Sequence, residues 1–205
     1  MPDSALLIPV KSFHLAKQRL SEYYRAEQRF YLALALAQRV VLSTKELDTF
    51  VVCDDSLVDR WAKSLGASVI FSNIAGLSAQ VFVAVKQLHA MHYEQAIIVH
   101  SDLPKIGNLS GYANFDTMVI VPDLRKTGTN LLKISTDIPF EFHYGENSFL
   151  LHQKEALKRK IDYIILEDKN IGFDIDIPED LDILGVDELE SLLEEGLAIA
   201  EQNIF

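Results

Sequence analysis

Cysteine is nearly missing from this chain of 205 residues. Cys53 stands alone, which excludes an intrachain disulfide and suits a reducing, cytoplasmic setting. Its apolar neighbours make it a small buried strand residue rather than a nucleophile. No apolar run reaches the length of a membrane span, and the N-terminus lacks a signal-peptide pattern. A cytoplasmic protein with no membrane partner is therefore expected. Internal repeats, low-complexity tracts and linkers are also lacking, so residues 1–205 read as a single domain. No Ser/His/Asp or Cys/His grouping stands out. The six histidines show no ligand spacing, and His89 and His92, three apart on a predicted helix, read as surface.

Charge of one sign is missing from two stretches. After Lys169 there is no Lys, Arg or His, while eleven acids follow, from Asp174 to Glu201. The net charge of -11 therefore lies in this tail, and the rest of the chain is balanced. No basic face argues for a nucleic-acid partner. The tail is a solvated acidic helix, a cation site, or both in succession. The opposite gap runs from Ser4 to Ser21, which holds no carboxylate but does hold Lys11, Lys17 and Arg19, with His14 between them. The apolar run 5–10 before these cations reads as a buried strand, with Pro9 near its end where a missing N–H matters little. Ligands of open α/β sheets sit outside the carboxyl ends of the strands. An acid-free loop there suits a polyanion such as a nucleoside triphosphate; a solvated surface loop is the other reading, and both stay open.

What the chain has in plenty is alternation. Its 49% hydrophobic content is enough for one α/β core. Strands are predicted at 49–53, 67–71, 96–99 and 117–121, with helices at 26–42, 57–65 and 76–91 between them. Gly66 closes the second helix in the C′ position, and Ser78 is placed as a possible N-cap of the third. Strand and helix in turn imply a mostly parallel sheet covered on both faces. The pattern then loosens: short strands at 131–134 and 140–142, a helix at 148–160 with a basic end, and a late strand at 163–166. Residues 173–177 alternate apolar and acidic, Pro178 starts a helix, and an acidic helix spans 186–205. Its apolar stripe is Leu189, Leu192, Leu193, Leu197 and Ala200.

Some of these elements carry residues suited to chemistry. Asp102 follows a hydrophobic strand directly, where a carboxylate suits Mg²⁺ or simply a turn before Pro104. Asp174 and Asp176, two apart in an extended stretch, project to one face. Two close carboxylates repel unless a cation lies between them, so this is a metal site or a solvated edge. The turn Lys126-Thr127-Gly128-Thr129-Asn130 offers hydroxyls and N–H groups to an anion, or is a plain hairpin turn. Gly145-Glu146-Asn147-Ser148 precedes a helix and is an anion site or an ordinary cap. Carboxylates for a metal together with cations for phosphates form the set that phosphoryl or nucleotidyl transfer requires.

In their order, these pieces resemble a known family: Pro9-Val10-Lys11, Ala16-Lys17-x-Arg19-Leu20, Gly76-Leu77, Ser101-Asp102-Leu103-Pro104, Gly128-Thr129-Asn130, Gly145-x-x-Ser148-Phe149 and Asp174-x-Asp176-x-Pro178-Glu179-Asp180-Leu181. The resemblance is to the 2-phospho-L-lactate guanylyltransferases of coenzyme F-420 biosynthesis, over about residues 5–184. It implies a Rossmann-like nucleotide-diphospho-sugar transferase domain similar to the molybdopterin-guanine dinucleotide synthases. The implied reaction joins the phosphate of 2-phospho-L-lactate, phosphoenolpyruvate or 3-phospho-D-glycerate to the α-phosphorus of GTP and releases pyrophosphate. The same resemblance makes Asp102, Asp174 and Asp176 ligands of Mg²⁺, and Thr129, Gly145 and Ser148 contacts to the phospho-acid. It makes Lys11, Lys17 and Arg19 the triphosphate cradle, with Lys17, Arg19 and Asp102 as the catalytic set. Gly76 and Ser78 fall on the nucleotide side, Ser78 standing where the family usually has Asn. A homodimer is also implied. Another nucleotidyltransferase of molybdopterin type, or a nucleotide-binding domain without turnover, is the alternative.

Overall fold

The structure is a computed structural model that describes residues 3–202. Four strands, β1 (Ser4–Pro9), β2 (Asp48–Cys53), β3 (Ser68–Phe71) and β4 (Gln95–Val99), pair in parallel in the order β3-β2-β1-β4. Beyond β4 the sheet continues with β6 (Thr129–Ser135), β5 (Met118–Pro122) and β7 (Tyr163–Ile165). Only β6 runs against its neighbours: it is antiparallel to both β4 and β5, while β5 and β7 are parallel. The reversal has a local cause. A tight turn joins β5 to β6, closed by Asp123 N–H to Gly128 O at 3.1 Å, and so short a link allows only antiparallel pairing. The turn brings Thr129 and Asn130 to the edge where β1, β4 and β5 end.

Alternation along each strand splits the core in two. Leu6 and Ile8 of β1 and Ile97 and Val99 of β4 face the cluster under α1 (Ala26–Val41) and α2 (Ser56–Ser64). Ala5, Leu7, Ala96 and Ile98 face α3 (Leu77–Ala90) and α4 (Ser148–Arg159) on the other side. Burial of each such large side chain contributes roughly 1.5–3 kcal/mol. α5 (Pro178–Leu184) and α6 (Val186–Glu201) form a third cluster with α1, in which Ile175 and Leu192 are fully buried. Among the described residues no helix is long and apolar enough to cross a membrane.

Several expectations are corrected. Residues 140–142 form no strand. Phe140 and Phe142 do turn inward while Glu141 stays exposed, but the N–H of Glu141 reaches Glu155 and that of His143 reaches His152, so side chains of α4 replace a strand partner. Residues 173–177 are extended, as their alternation implies, but join no ladder; Ile175 N–H bonds to the carbonyl of Asp102 at 3.3 Å. Ser78 does not cap α3, whose N-cap is Gly76 at φ +92° with no side-chain cap bond. His89 is exposed on α3, but His92 lies beyond the helix end. On α6 the buried face is Leu189, Leu192, Gly196 and Ile199, while Leu197 is exposed. The expected extension of that helix to 205 lies outside the described residues. Its acids are not simply solvated: Arg39 of α1 pairs with Glu188 at 2.7 Å and Glu195 at 2.8 Å.

Candidate active site

A cleft of about 750 Å³ runs along the carboxyl edge of β1, β4 and β5. One wall is the loop after β1. Two single turns of 3-10 helix, Phe13–Leu15 and Gln18–Leu20, flank Lys17. Phe13 anchors the first by packing edge-on to Trp61 at 5.1 Å, and fully buried Leu20 anchors the second. Lys17 between them takes φ +53°, in the left-handed region uncommon for a side-chain-bearing residue. Its side chain turns inward and is only 6% exposed. Nζ lies 2.7 Å from Asp102 Oδ2 and 3.6 Å from Asp176 Oδ1, and it donates to the carbonyl of Ile175. Arg19 is 71% exposed, with Nη1 3.3 Å from Asp176 Oδ2. Lys11 also lines the cleft.

The floor holds the carboxylates. Asp102 leaves the end of β4, and its backbone carbonyl receives the N–H of Ile175. With the Lys17 bond to the Ile175 carbonyl, this bond docks the segment carrying Asp174 and Asp176. Asp180, buried at the start of α5, accepts the N–H groups of Asp176 at 2.7 Å and Ile177 at 2.9 Å and pairs with Arg125. One oxygen from each of Asp102, Asp174 and Asp176 therefore comes within 4.8 Å of the others, although they arise from separate segments. Burial, then the charges of Asp102 and Asp176, push the carboxyl of Asp174 up to about 7. Burial acts the same way on Asp102, but the Lys17 ammonium outweighs it and holds that carboxyl below the usual range. In Lys17 burial opposes the charge, yet Asp102 and Asp176 keep it more firmly protonated than usual. A second grouping, Glu141, His143 and Glu155, differs: its buried member Glu155 is already paired with Lys158 and Arg159.

The far wall is the segment His143–Ser148. Gly145 (φ +125°) and Ser148 line the cleft, and Ser148 opens α4. The segment is held from behind. Ser78 Oγ accepts the N–H of Tyr144 at 2.8 Å. His152 Nε2 accepts the N–H of His143 at 3.0 Å, so its proton sits on Nδ1 and is donated to Thr129 Oγ1 at 3.0 Å. Burial, then repulsion from His143 and His100, depress the His152 imidazole to about 3, which keeps it neutral. Thr129 is fully buried, so its hydroxyl serves this network rather than the open cleft. Gly76 and Ser78 are likewise absent from the residues that line it, where Leu77 and Gln80 of α3 appear instead. Cys53 is buried and its thiol is pushed up to about 11, first by that burial, as expected of a structural residue.

Reading the sequence missed His100, Arg125, His152 and Asp180. Asp180 had a signal: it stands at the third position of a helix begun by Pro178, where a carboxylate closes a cap. His100 had only its position before Ser101-Asp102; its Nε2 is buried without a partner among the described residues. His152 had none, since its partners come from remote segments.

An α/β sheet with cations from the first loop facing a carboxylate after β4 and two before α5 has the form of a nucleotidyltransferase. A putative nucleotide-diphospho-sugar transferase from Desulfovibrio desulfuricans shares this fold, with a TM-score of 0.76 over 98% of both chains at 18% identity. The family model described as "Guanylyl transferase CofC like" matches residues 4–188, and the chain belongs to that family. It is 32% identical to the 2-phospho-L-lactate guanylyltransferase of Methanocaldococcus vulcanius, covering 86% of this chain and 81% of that protein. It is 26% identical to the phosphoenolpyruvate guanylyltransferase of Thermobaculum terrenum, over 94% and 90%.

Proposed function

We propose that the cleft transfers GMP from GTP to the phosphate of a three-carbon phospho-acid in coenzyme F-420 biosynthesis, with Mg²⁺ as cofactor. Membership of the guanylyl transferase family supplies the reaction class. The observation that carries the assignment to this cleft is the convergence of Asp102, Asp174 and Asp176 opposite Lys11, Lys17 and Arg19. The donor set fits a hard divalent cation. Three carboxylates meet, and Asp102 Oδ1 is buried without a partner among the described residues; Mg²⁺ is commonly held by one or two carboxylates with substrate phosphates. Held by these aspartates, the ion would neutralise charge on the triphosphate.

The chain's own groups account for the rest. An oxygen of the phospho-acid's phosphate attacks the α-phosphorus, and the bond to the β-phosphate oxygen breaks. Its second pKa is ~6, so the nucleophile is already ionised and no general base is required. Lys11, Lys17 and Arg19 stabilise the departing pyrophosphate as its charge grows. Gly145 and Ser148 at the start of α4 receive the acid, aided by the helix dipole. Two of the first N–H donors of α4 are already taken, by Gly145 O and Thr127 O. The dipole, the Ser148 hydroxyl and the open backbone at Gly145 are what remain for an anion. The test is pyrophosphate release across a grid of nucleotides and the acids 2-phospho-L-lactate, phosphoenolpyruvate and 3-phospho-D-glycerate. Release only with GTP and one of these acids is expected; release with a cytidine nucleotide, or with none, contradicts the reading.

A further inference from the structure

The Lys17 ammonium lies among the carboxylates assigned to the metal. Nζ donates to Asp102 Oδ2 at 2.7 Å and to the Ile175 carbonyl, and it lies 3.6 Å from Asp176 Oδ1 as an ion pair. It lines the same cleft as Asp174, whose carboxyl shares the cluster. An ammonium is a compact point charge on a flexible stem, and here it offsets part of the cluster's charge, at Asp102 Oδ2 and Asp176 Oδ1. Mg²⁺ needs its oxygen ligands at about 2.0–2.1 Å; Asp102 Oδ2 is already turned to Lys17, which leaves Oδ1 as the oxygen of Asp102 without a partner among the described residues. Two cations cannot share so small a space without strong repulsion.

We propose that Lys17 is the resident counter-cation of the Asp102–Asp174–Asp176 cluster, and that it must swing out onto the nucleotide's phosphates before a divalent ion binds well. The proposal rests on the reading that these aspartates hold the metal. The structure provides the path. Phe13 and Leu20 are buried on either side of the loop, so the backbone stays fixed while the four-carbon stem turns. Lys17 lines the cleft beside Lys11 and Arg19, where a triphosphate would supply new acceptors. Nucleotide and metal then favour each other, and the linkage is reciprocal. Metal alone meets a site that already holds one cation; metal with GTP meets one from which the ammonium has been drawn away.

The experiment follows binding rather than turnover. Mn²⁺ is titrated into the wild type, Lys17→Ala and Lys17→Met, with free Mn²⁺ read by electron paramagnetic resonance. Each is measured alone and with a GTP analogue carrying a methylene between the α- and β-phosphorus. A thermal melt confirms folding, and Lys17→Met keeps the packing of the stem if the alanine variant does not fold. The variants should bind Mn²⁺ alone at least about tenfold more tightly than the wild type. The gain that the nucleotide brings should shrink to match. If the wild type binds Mn²⁺ with the nucleotide but the variants bind it alone no better than the wild type, the exchange is overturned and the metal site stands. If no form binds Mn²⁺ even with the nucleotide, the metal site itself fails and the exchange with it.

Discussion

His152 has no exposed surface, yet it bonds two separate segments of the cleft, through His143 N–H and Thr129 Oγ1. These bonds require a neutral ring, and the folded pKa is depressed to about 3, first by burial. The unfolded chain takes up a proton near pH 6.5, so between that value and about 3 the unfolded state holds one more proton than the folded one. The stability contributed is full above pH 6.5 and is lost as pH falls, at about 1.4 kcal/mol per pH unit. His100 is depressed in the same direction by burial and adds to the slope. His152→Gln should remove about one proton's share of it, measured by denaturant unfolding between pH 6.5 and 4.5; an unchanged slope would contradict the account. At this scale the sequence revealed acids and cations whose neighbours along the chain differ in kind. Lys11, Lys17 and Arg19 stand out in an acid-free stretch, and Asp174 and Asp176 in an alternating one. It did not reveal that Lys17 bonds to Asp102 and Ile175, because that pairing spans 85 and 158 positions.

Among the elements, the wall from His143 to Ser148 tests how a loop is made rigid enough to orient a substrate. The resemblance placed Ser78 beside the nucleotide, but its hydroxyl accepts the N–H of Tyr144, at the centre of the wall that carries Gly145. Ser78→Ala should therefore raise the KM for the phospho-acid about fivefold, the weight of one hydrogen bond of ~1 kcal/mol. The KM for GTP should change little. Steady-state kinetics with each substrate varied in turn decides it, and a shift confined to GTP would return Ser78 to the nucleotide. Continuous apolar runs located β1 and β4, which are buried on both faces, and helical period located the helices between them. Strand direction is not written in period. The reversal of β6 follows from the length of its link to β5, and the loss of the expected strand at 140–142 follows from bonds of Glu141 and the adjoining His143 to α4 side chains and of Phe140 to Ile138 O.

Across the whole molecule, the acidic tail divides between the cleft, α5 and α6. Its first acids, Asp174 and Asp176, line the cleft; Glu179, Asp180 and Asp182 lie on α5, and the rest lie on α6, which packs along α1. Gly196 sets that contact, since a Cβ there would lie 2.1 Å from the Tyr31 carbonyl oxygen. Gly196→Ala should cost roughly 1–3 kcal/mol by overpacking, seen as a lower melting temperature, while turnover per folded molecule is retained because α6 contributes nothing to the cleft lining. A loss of turnover without a loss of stability would show that α6 acts on the site. Asp102, Asp174 and Asp176 at the carboxyl edge of this sheet are proposed to support guanylyl transfer to a phospho-acid. The most direct test is ³¹P NMR of GTP, Mg²⁺ and each phospho-acid, with the wild type and with Asp176→Asn. The account predicts that the wild type forms pyrophosphate together with a new pair of coupled diphosphate resonances, and that the folded variant forms almost none. Equal product from Asp176→Asn, or pyrophosphate without the coupled pair, would contradict it.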